Sequence, residues 1–193
     1  MDTLLTAEHL LKCTDLLLLV TEKAAYRQLM INAGNQGMTS GAHSMAFAYY
    51  KLALELSDPE TEWSDDEYTT TIQLYSNALA MSFINGAYEM MQRLLECIYT
   101  QARNPLDRVT AYQIQSRYYL AVKKPDESRD TLLECYRDLG IKDLTFSLTR
   151  DMIQEEYSKL GRLIDQIGMN KLPTIELSDD PFLLASLYIT DEL

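Results

Sequence analysis

The sequence predicts an all-α fold in which antiparallel helix pairs stack on one another in chain order. Apolar residues recur at helical spacing along almost the whole chain, and no segment sustains the alternation of a strand. Glycine (7) and proline (5) are scarce among 193 residues, too few for a many-turned β architecture. With 47% hydrophobic residues there is ample material for a core.

The first helix is expected from Thr6 to Val20, and a second from a cap at Thr21, with Glu22 in its first turn, to about Gln36. Gly34, Gly37 and Gly41 are expected to break the pattern there. Ser40-Gly41 opens a third helix with Ala42, Ala46, Tyr49, Ala53 and Leu56 on one face, stopping at Ser57-Asp58-Pro59. An acidic connection follows, Glu55 to Glu67 without a basic residue, from which Trp63 could fold back onto the helices. Ser64 or Asp65 is the expected cap of the fourth helix, striped by Tyr68, Ile72, Tyr75, Leu79 and Ser82. Asn85-Gly86 is a turn, and the fifth helix buries Met91, Leu94, Leu95 and Ile98. Asn104-Pro105 caps and starts the sixth, with Ala111, Ile114, Tyr118 and Ala121 inward. Lys124-Pro125-Asp126 begins the seventh, which ends at Leu139-Gly140. An eighth runs from about Ser147 to Ile167 with the seam Ile153, Tyr157, Leu160, Ile164, Ile167. After a polar link through Pro173, Asp180-Pro181 opens a short last helix carrying Phe182, Leu183, Leu187, Tyr188 and Ile189, expected to cap the stack or lead onward. This divides the chain into a helical domain, residues 1–170, and a linker with a terminal helix, residues 171–193.

The formal net charge is −12 with a pI near 4.5. Clustered cations are what release counterions from phosphates, so nucleic acid and anionic membrane surfaces are excluded as expected partners. The run Leu16 to Val20 is too short for a span or a signal core. Cys13, Cys97 and Cys135 are odd in number, far apart and without a C-x-x-C pair, as expected of reduced thiols on apolar faces of a cytoplasmic protein.

Three helix–helix turns look alike: Ser40-Gly41-Ala42 through Ala46, Asn85-Gly86-Ala87 through Met91, and Lys123-Lys124-Pro125 through Ser128. Four residues past each of those last positions come Tyr50, Leu95 and Leu132; seven past come Ala53, Ile98 and Cys135. A small residue lets backbones approach, a bulky one fills the groove, and another small or medium one follows. The unit with Gly41, Ala46, Tyr50 and Ala53 is similar to the second helix of a tetratricopeptide repeat, which implies a short right-handed solenoid. The turns recur after 45 and then 37 residues, longer than the usual repeat of about 34.

A wider likeness runs from residue 9 to residue 141. His9-Leu10-Leu11-Lys12, Tyr26-Arg27-Gln28-Leu29, the run Ala33 to Ala42 with Ala46 and Tyr49-Tyr50, then Asn104-Pro105-Leu106-Asp107-Arg108 and Leu139-Gly140-Ile141 follow one another. This order resembles the helical-repeat region of multidomain sensor kinases, above all fungal hybrid histidine kinases. There a Ser/Thr-kinase-like domain and a P-loop ATPase module precede the repeats, and a GAF domain and histidine kinase follow. The resemblance implies a regulatory segment of a two-component signalling protein.

No catalytic constellation emerges. His9 and Cys13 stand four apart, a possible metal edge, but no second ligand pair joins them and His43 is isolated. Gly34, Gly37 and Gly41 lack the preceding strand and Gly-Lys-Ser/Thr ending of a phosphate loop. Glu155-Glu156 reads as a solvated face. No cofactor and no metal are therefore expected. The expected function is a non-catalytic protein-interaction scaffold, binding a protein or peptide, including other domains of the same parent. The partner-binding residues are expected among the tyrosines and the basic patch of the sixth and seventh helices: Tyr75, Arg108, Tyr112, Arg117, Tyr118 and Lys124. The alternatives are a self-associating, dimerising scaffold or a small helical enzyme.

Overall fold

The computed structural model describes residues 3–17, 23–141, 149–169, 171 and 178–190. It is all-helical, with no strand among those residues: α1 Thr3–Leu11, α2 Thr14–Leu17, α3 Lys23–Thr39, α4 His43–Glu55, α5 Tyr68–Ile84, α6 Tyr88–Gln101, α7 Pro105–Ala121, α8 Pro125–Asp138, α9 Arg150–Ile167 and α10 Pro181–Thr190. The expected cap at Thr21 with Glu22, the start at Ser147 and the Pro173 link lie outside the described residues.

Three hairpins, α3–α4, α5–α6 and α7–α8, supply most of the packing, and each rests on the next in chain order. One turn closes all three. Gly41, Gly86 and Lys123 hold positive φ of 77°, 70° and 63°. The amide that follows each donates five residues back, Ala42 to Gly37 O, Ala87 to Ser82 O and Lys124 to Tyr119 O, each at 2.8 Å. This is the Schellman closure, which satisfies carbonyls a helix end would otherwise orphan.

Because the turn is the same, the register after it is the same. Five residues past the positive-φ position lie Ala46, Met91 and Ser128; nine past lie Tyr50, Leu95 and Leu132; twelve past lie Ala53, Ile98 and Cys135. All nine are buried. The equivalences expected from sequence therefore hold at the level of packing.

Gly34 and Gly37 do not break a helix; both lie inside α3. A Cβ on Gly34 would lie 2.5 Å from Tyr50 Cε1, and one on Gly37 would lie 3.2 Å from the Ala46 Cβ. Their value is the close approach of α3 to α4, which outweighs the helix-propensity cost of glycine. In the third hairpin the equivalent of Ala46 is Ser128, whose hydroxyl pairs with Ser116 at 2.7 Å in a buried site.

Other expectations need correction. The first helix stops at Leu11, where the Lys12 and Cys13 amides bond three residues back and the Thr14 hydroxyl donates to Leu11 O at 2.9 Å. Cys13 consequently sits in a turn and is exposed, not on an apolar face; Cys97 is half-buried and Cys135 buried. No side chain caps α5, which starts from Glu67. Asn104 does cap α7, its Oδ1 accepting from the Asp107 amide at 3.1 Å, and Thr149 caps α9. Ala121 is exposed.

The last helix caps the stack, but with an unexpected face. Ala185, Ser186 and Ile189 are buried on α7 and α8, while Phe182, Leu183, Leu187 and Tyr188 stay exposed. Small Ala185 and Ser186 let the backbone come near enough for the Tyr136 hydroxyl to donate to Ser186 O at 3.0 Å.

Two variants test this packing. Gly34→Ala should destabilise the chain by about 1–3 kcal/mol, because the new methyl must displace a buried ring. Lys123→Gly should stabilise it by about 0.5–1 kcal/mol by relieving the left-handed backbone. Urea unfolding followed by circular dichroism checks both signs.

Candidate functional site

The hairpin register that buries the core also leaves two equivalent clefts between successive second helices. Adding 37 to Tyr75 gives Tyr112, and each tyrosine lines the cleft its own hairpin makes with the preceding one.

The first cleft lies between α4 and α6. It comprises two continuous hollows of about 510 and 370 Å³ that share Lys51, Met90 and Arg93. Phe47 and Tyr88 lie toward one end, and Leu54, Tyr75, Leu94 and Cys97 toward the other. The walls are mainly apolar, and the rim carries two exposed cations, Lys51 and Arg93, together with two exposed carboxylates, Glu55 and Glu89. Lys51 approaches Glu55 at 3.9 Å, and Arg93 Nε donates to Glu89 O at 3.4 Å. Both links are long, so both charges stay open to a partner.

The second cleft, about 400 Å³ between α6 and α8, is more polar: Tyr99, Arg108, Tyr112, Gln115, Glu134 and Asp138 line it. Here Arg108 is already engaged. Its Nε and one terminal nitrogen grip both Asp138 oxygens at 2.7 and 2.9 Å, and the other terminal nitrogen donates to Ala102 O at 3.1 Å. The Asp138 hydrogen bond raises the Arg108 pKa, so the guanidinium is held charged. Tyr99 donates to Gln115 Oε1 at 2.7 Å and packs its ring against Tyr112 at 5.1 Å.

The structure thus separates the six residues expected to bind a partner. Tyr75 and Tyr112 take equivalent places in the two clefts, and Arg108 stands in the second as an ion-paired strut. Tyr118 packs against Tyr88 at 5.4 Å and borders the core, while Arg117 and Lys124 are exposed and stand outside both clefts. Lys124 lies 3.5 Å from Glu127. The residues that sequence reasoning missed are Phe47, Lys51, Met90 and Arg93. The signal that could have found them is the turn register, which places α4 and α6 side by side.

The acidic connection, residues 56–67, is built into the stack. Buried Arg27 donates from Nε to Ser57 at 2.9 Å, and from its two terminal nitrogens to Glu67 and Thr71, each at 2.8 Å. Arg103 lies over the Tyr68 ring at 4.2 Å, pairs with Asp65 at 2.6 Å and donates to Trp63 O at 2.8 Å. Trp63 packs on Tyr75 at 4.9 Å, and Tyr75 donates to Glu62 Oε1 at 3.2 Å. Burial pushes the Glu62 carboxyl up, opposed by the Tyr75 hydroxyl and by Arg27. A hollow of about 420 Å³ opens beside Arg27 and Lys23, but every nitrogen of that guanidinium already has a protein acceptor.

Among the described residues no group of three or more His, Cys, Asp or Glu is placed to hold a metal ion. His9 and Cys13, the possible metal edge, are both exposed, and the helix carrying His9 ends before Cys13. Burial raises the Cys97 thiol and drives that of Cys135 up to about 12, away from nucleophilic thiolate at neutral pH. No described helix is long and apolar enough to cross a membrane. In comparisons with known proteins, no family model, no curated protein and no solved structure matches the chain.

The same burial fixes an alkaline limit. Cys135, Tyr50 and Tyr112 are each pushed to about 12, from ordinary values of 9.0 for the thiol and 10.0 for the phenols. Tyr75 and Tyr99 are raised too, by burial first. The folded state binds more protons than the unfolded one in that window, so stability is full below pH 9 and falls between pH 9 and 12. The part of the tyrosinate absorbance that comes from the buried tyrosines should appear together with loss of helix. Thiol labelling at neutral pH should modify Cys13 first and reach Cys135 only on unfolding.

Proposed function

We propose that this chain is a non-catalytic protein-interaction module, a short tetratricopeptide-like stack that holds a partner segment in the groove between α4 and α6. The observation that carries the reading is that groove itself: Phe47, Leu54, Met90 and Leu94 offer apolar wall, and Lys51 and Arg93 stand on its rim. In a chain of net charge −12, two loosely held cations over an apolar surface select a segment with apolar anchors and acidic neighbours.

The matching turns, with their recurrence at 45 and 37 residues, support a repeat architecture of this kind. On the likeness of residues 9–141 to the repeat region of hybrid histidine kinases, the parent is a cytoplasmic two-component signalling protein. The groove's occupant is then a segment of its kinase-like or ATPase module.

A displayed-peptide selection against the chain tests the groove directly. Enriched sequences should combine aliphatic or aromatic residues with Asp or Glu and bind with micromolar affinity. The double variant Lys51→Glu/Arg93→Glu, both positions exposed, should weaken that binding about tenfold or more while leaving the circular dichroism spectrum unchanged. Failure to enrich any peptide, or binding indifferent to the charge reversal, sinks the reading. Titration with the parent's kinase-like and ATPase segments identifies which of them supplies the occupant.

A further inference from the structure

We propose that α9 is a dimerisation helix, pairing along its length with α9 of a second copy of this chain. Helices α3 to α8 bury an apolar face, whereas α9, 18 residues long, buries no side chain and makes no substantial contact with another described helix. Its apolar surface is nevertheless regular. Ile153, Tyr157, Leu160, Ile164 and Ile167 are spaced 4, 3, 4 and 3 residues apart, an uninterrupted 3.5-residue period. The hairpin helices differ: α4 buries Ala46, Tyr49, Tyr50 and Ala53, the broader pattern of a helix wedged among several neighbours.

A strict 4-3 seam is the geometry of one long helix lying beside another at a shallow angle, not of a helix crossing a layered stack. The seam also carries a receptor for its own side chains. Ile153, Glu156, Tyr157 and Leu160 line a shallow hollow together with Met152. The first four occupy the positions that form the hole for a facing knob when Ile153 and Leu160 are d and Tyr157 is a.

The occupant follows from what else the chain offers. A partner must present an apolar seam of matching period over five turns. Among the described helices α10 is uncovered on its outer face, but it has only 10 residues. A second α9 matches in period, length and hole by identity, and such a pairing closes on a two-fold axis. Electrostatics permit it: α9 carries three basic and four acidic residues, nearly neutral within a chain of −12. The area suffices too. Tyr157, Leu160 and Leu163 are 69%, 52% and 51% exposed. The five seam side chains and the flanking Leu163 on each helix, at roughly 60–100 Å² apiece, bury about 1,000 Å² in all, the threshold of a specific interface.

The chain's sedimentation equilibrium at several concentrations is the test. The expected result is a monomer–dimer equilibrium in the micromolar range. Leu160→Glu should weaken it at least about tenfold, while Arg162→Ala on the opposite side of α9 leaves it unchanged. Since α9 buries nothing, near-ultraviolet tyrosine signals of the hairpins should be identical in all three proteins. With the native cysteines replaced by serine, Leu160→Cys should give a disulfide-linked dimer on mild oxidation. A strict monomer at roughly 100 µM, a dimer unaffected by Leu160→Glu, or a dimer that Leu160→Cys fails to cross-link would each overturn the proposal.

Discussion

The structure depends on how its hairpins turn. In each of three places one residue adopts a left-handed backbone, and the next amide reaches back to a carbonyl five residues earlier. That closure sets the phase of the second helix relative to the first. Once the phase is set, the fifth, ninth and twelfth residues beyond the turn must face the hairpin partner. This is why a set as varied as Ala46, Met91 and Ser128 is uniformly buried. Side-chain size then adjusts to the space each hairpin leaves. Glycine against tyrosine serves the first, methionine the second, and a hydroxyl pair the third.

Much of the chain's positive charge is engaged within the structure itself. In a strongly acidic chain the connection between α4 and α5 concentrates carboxylates that would repel if left in solvent. Arg27 and Arg103 draw it down from opposite sides, one buried with three polar acceptors, the other stacked on Tyr68. Arg108 plays the same part between α7 and α8 through Asp138. On the rim of the first cleft, Lys51 and Arg93 are held only by long contacts, to Glu55 at 3.9 Å and to the Glu89 carbonyl at 3.4 Å.

The tyrosines divide along the same line. Tyr50 is fully buried and donates to Asn35 Oδ1 at 2.7 Å, so its hydroxyl completes the core. Tyr112 instead buries its ring and turns its hydroxyl toward Asp138 in the second cleft. Tyr75 and Tyr99 lie between core and cleft. There they contribute ring area to the groove while their hydroxyls are held by Glu62 and Gln115. Several of the chain's tyrosines thus pack between hairpins.

The helices, the three matching turns and the positions that follow them were legible in the amino-acid sequence, because period, turn chemistry and side-chain size are local properties. Met91, Leu94, Leu95 and Ile98 declare a buried face without reference to any other segment. Tertiary structure alone decided the matters that turn on distance across the chain. It made Gly34 and Gly37 points of contact where sequence suggested a break, exposed Cys13, turned the small side of α10 inward, and spent Arg108 on Asp138. It also brought Phe47 and Lys51 of one hairpin beside Met90 and Arg93 of the next. A local pattern states which face of a helix is apolar; only the neighbouring backbone states what that face meets and how closely.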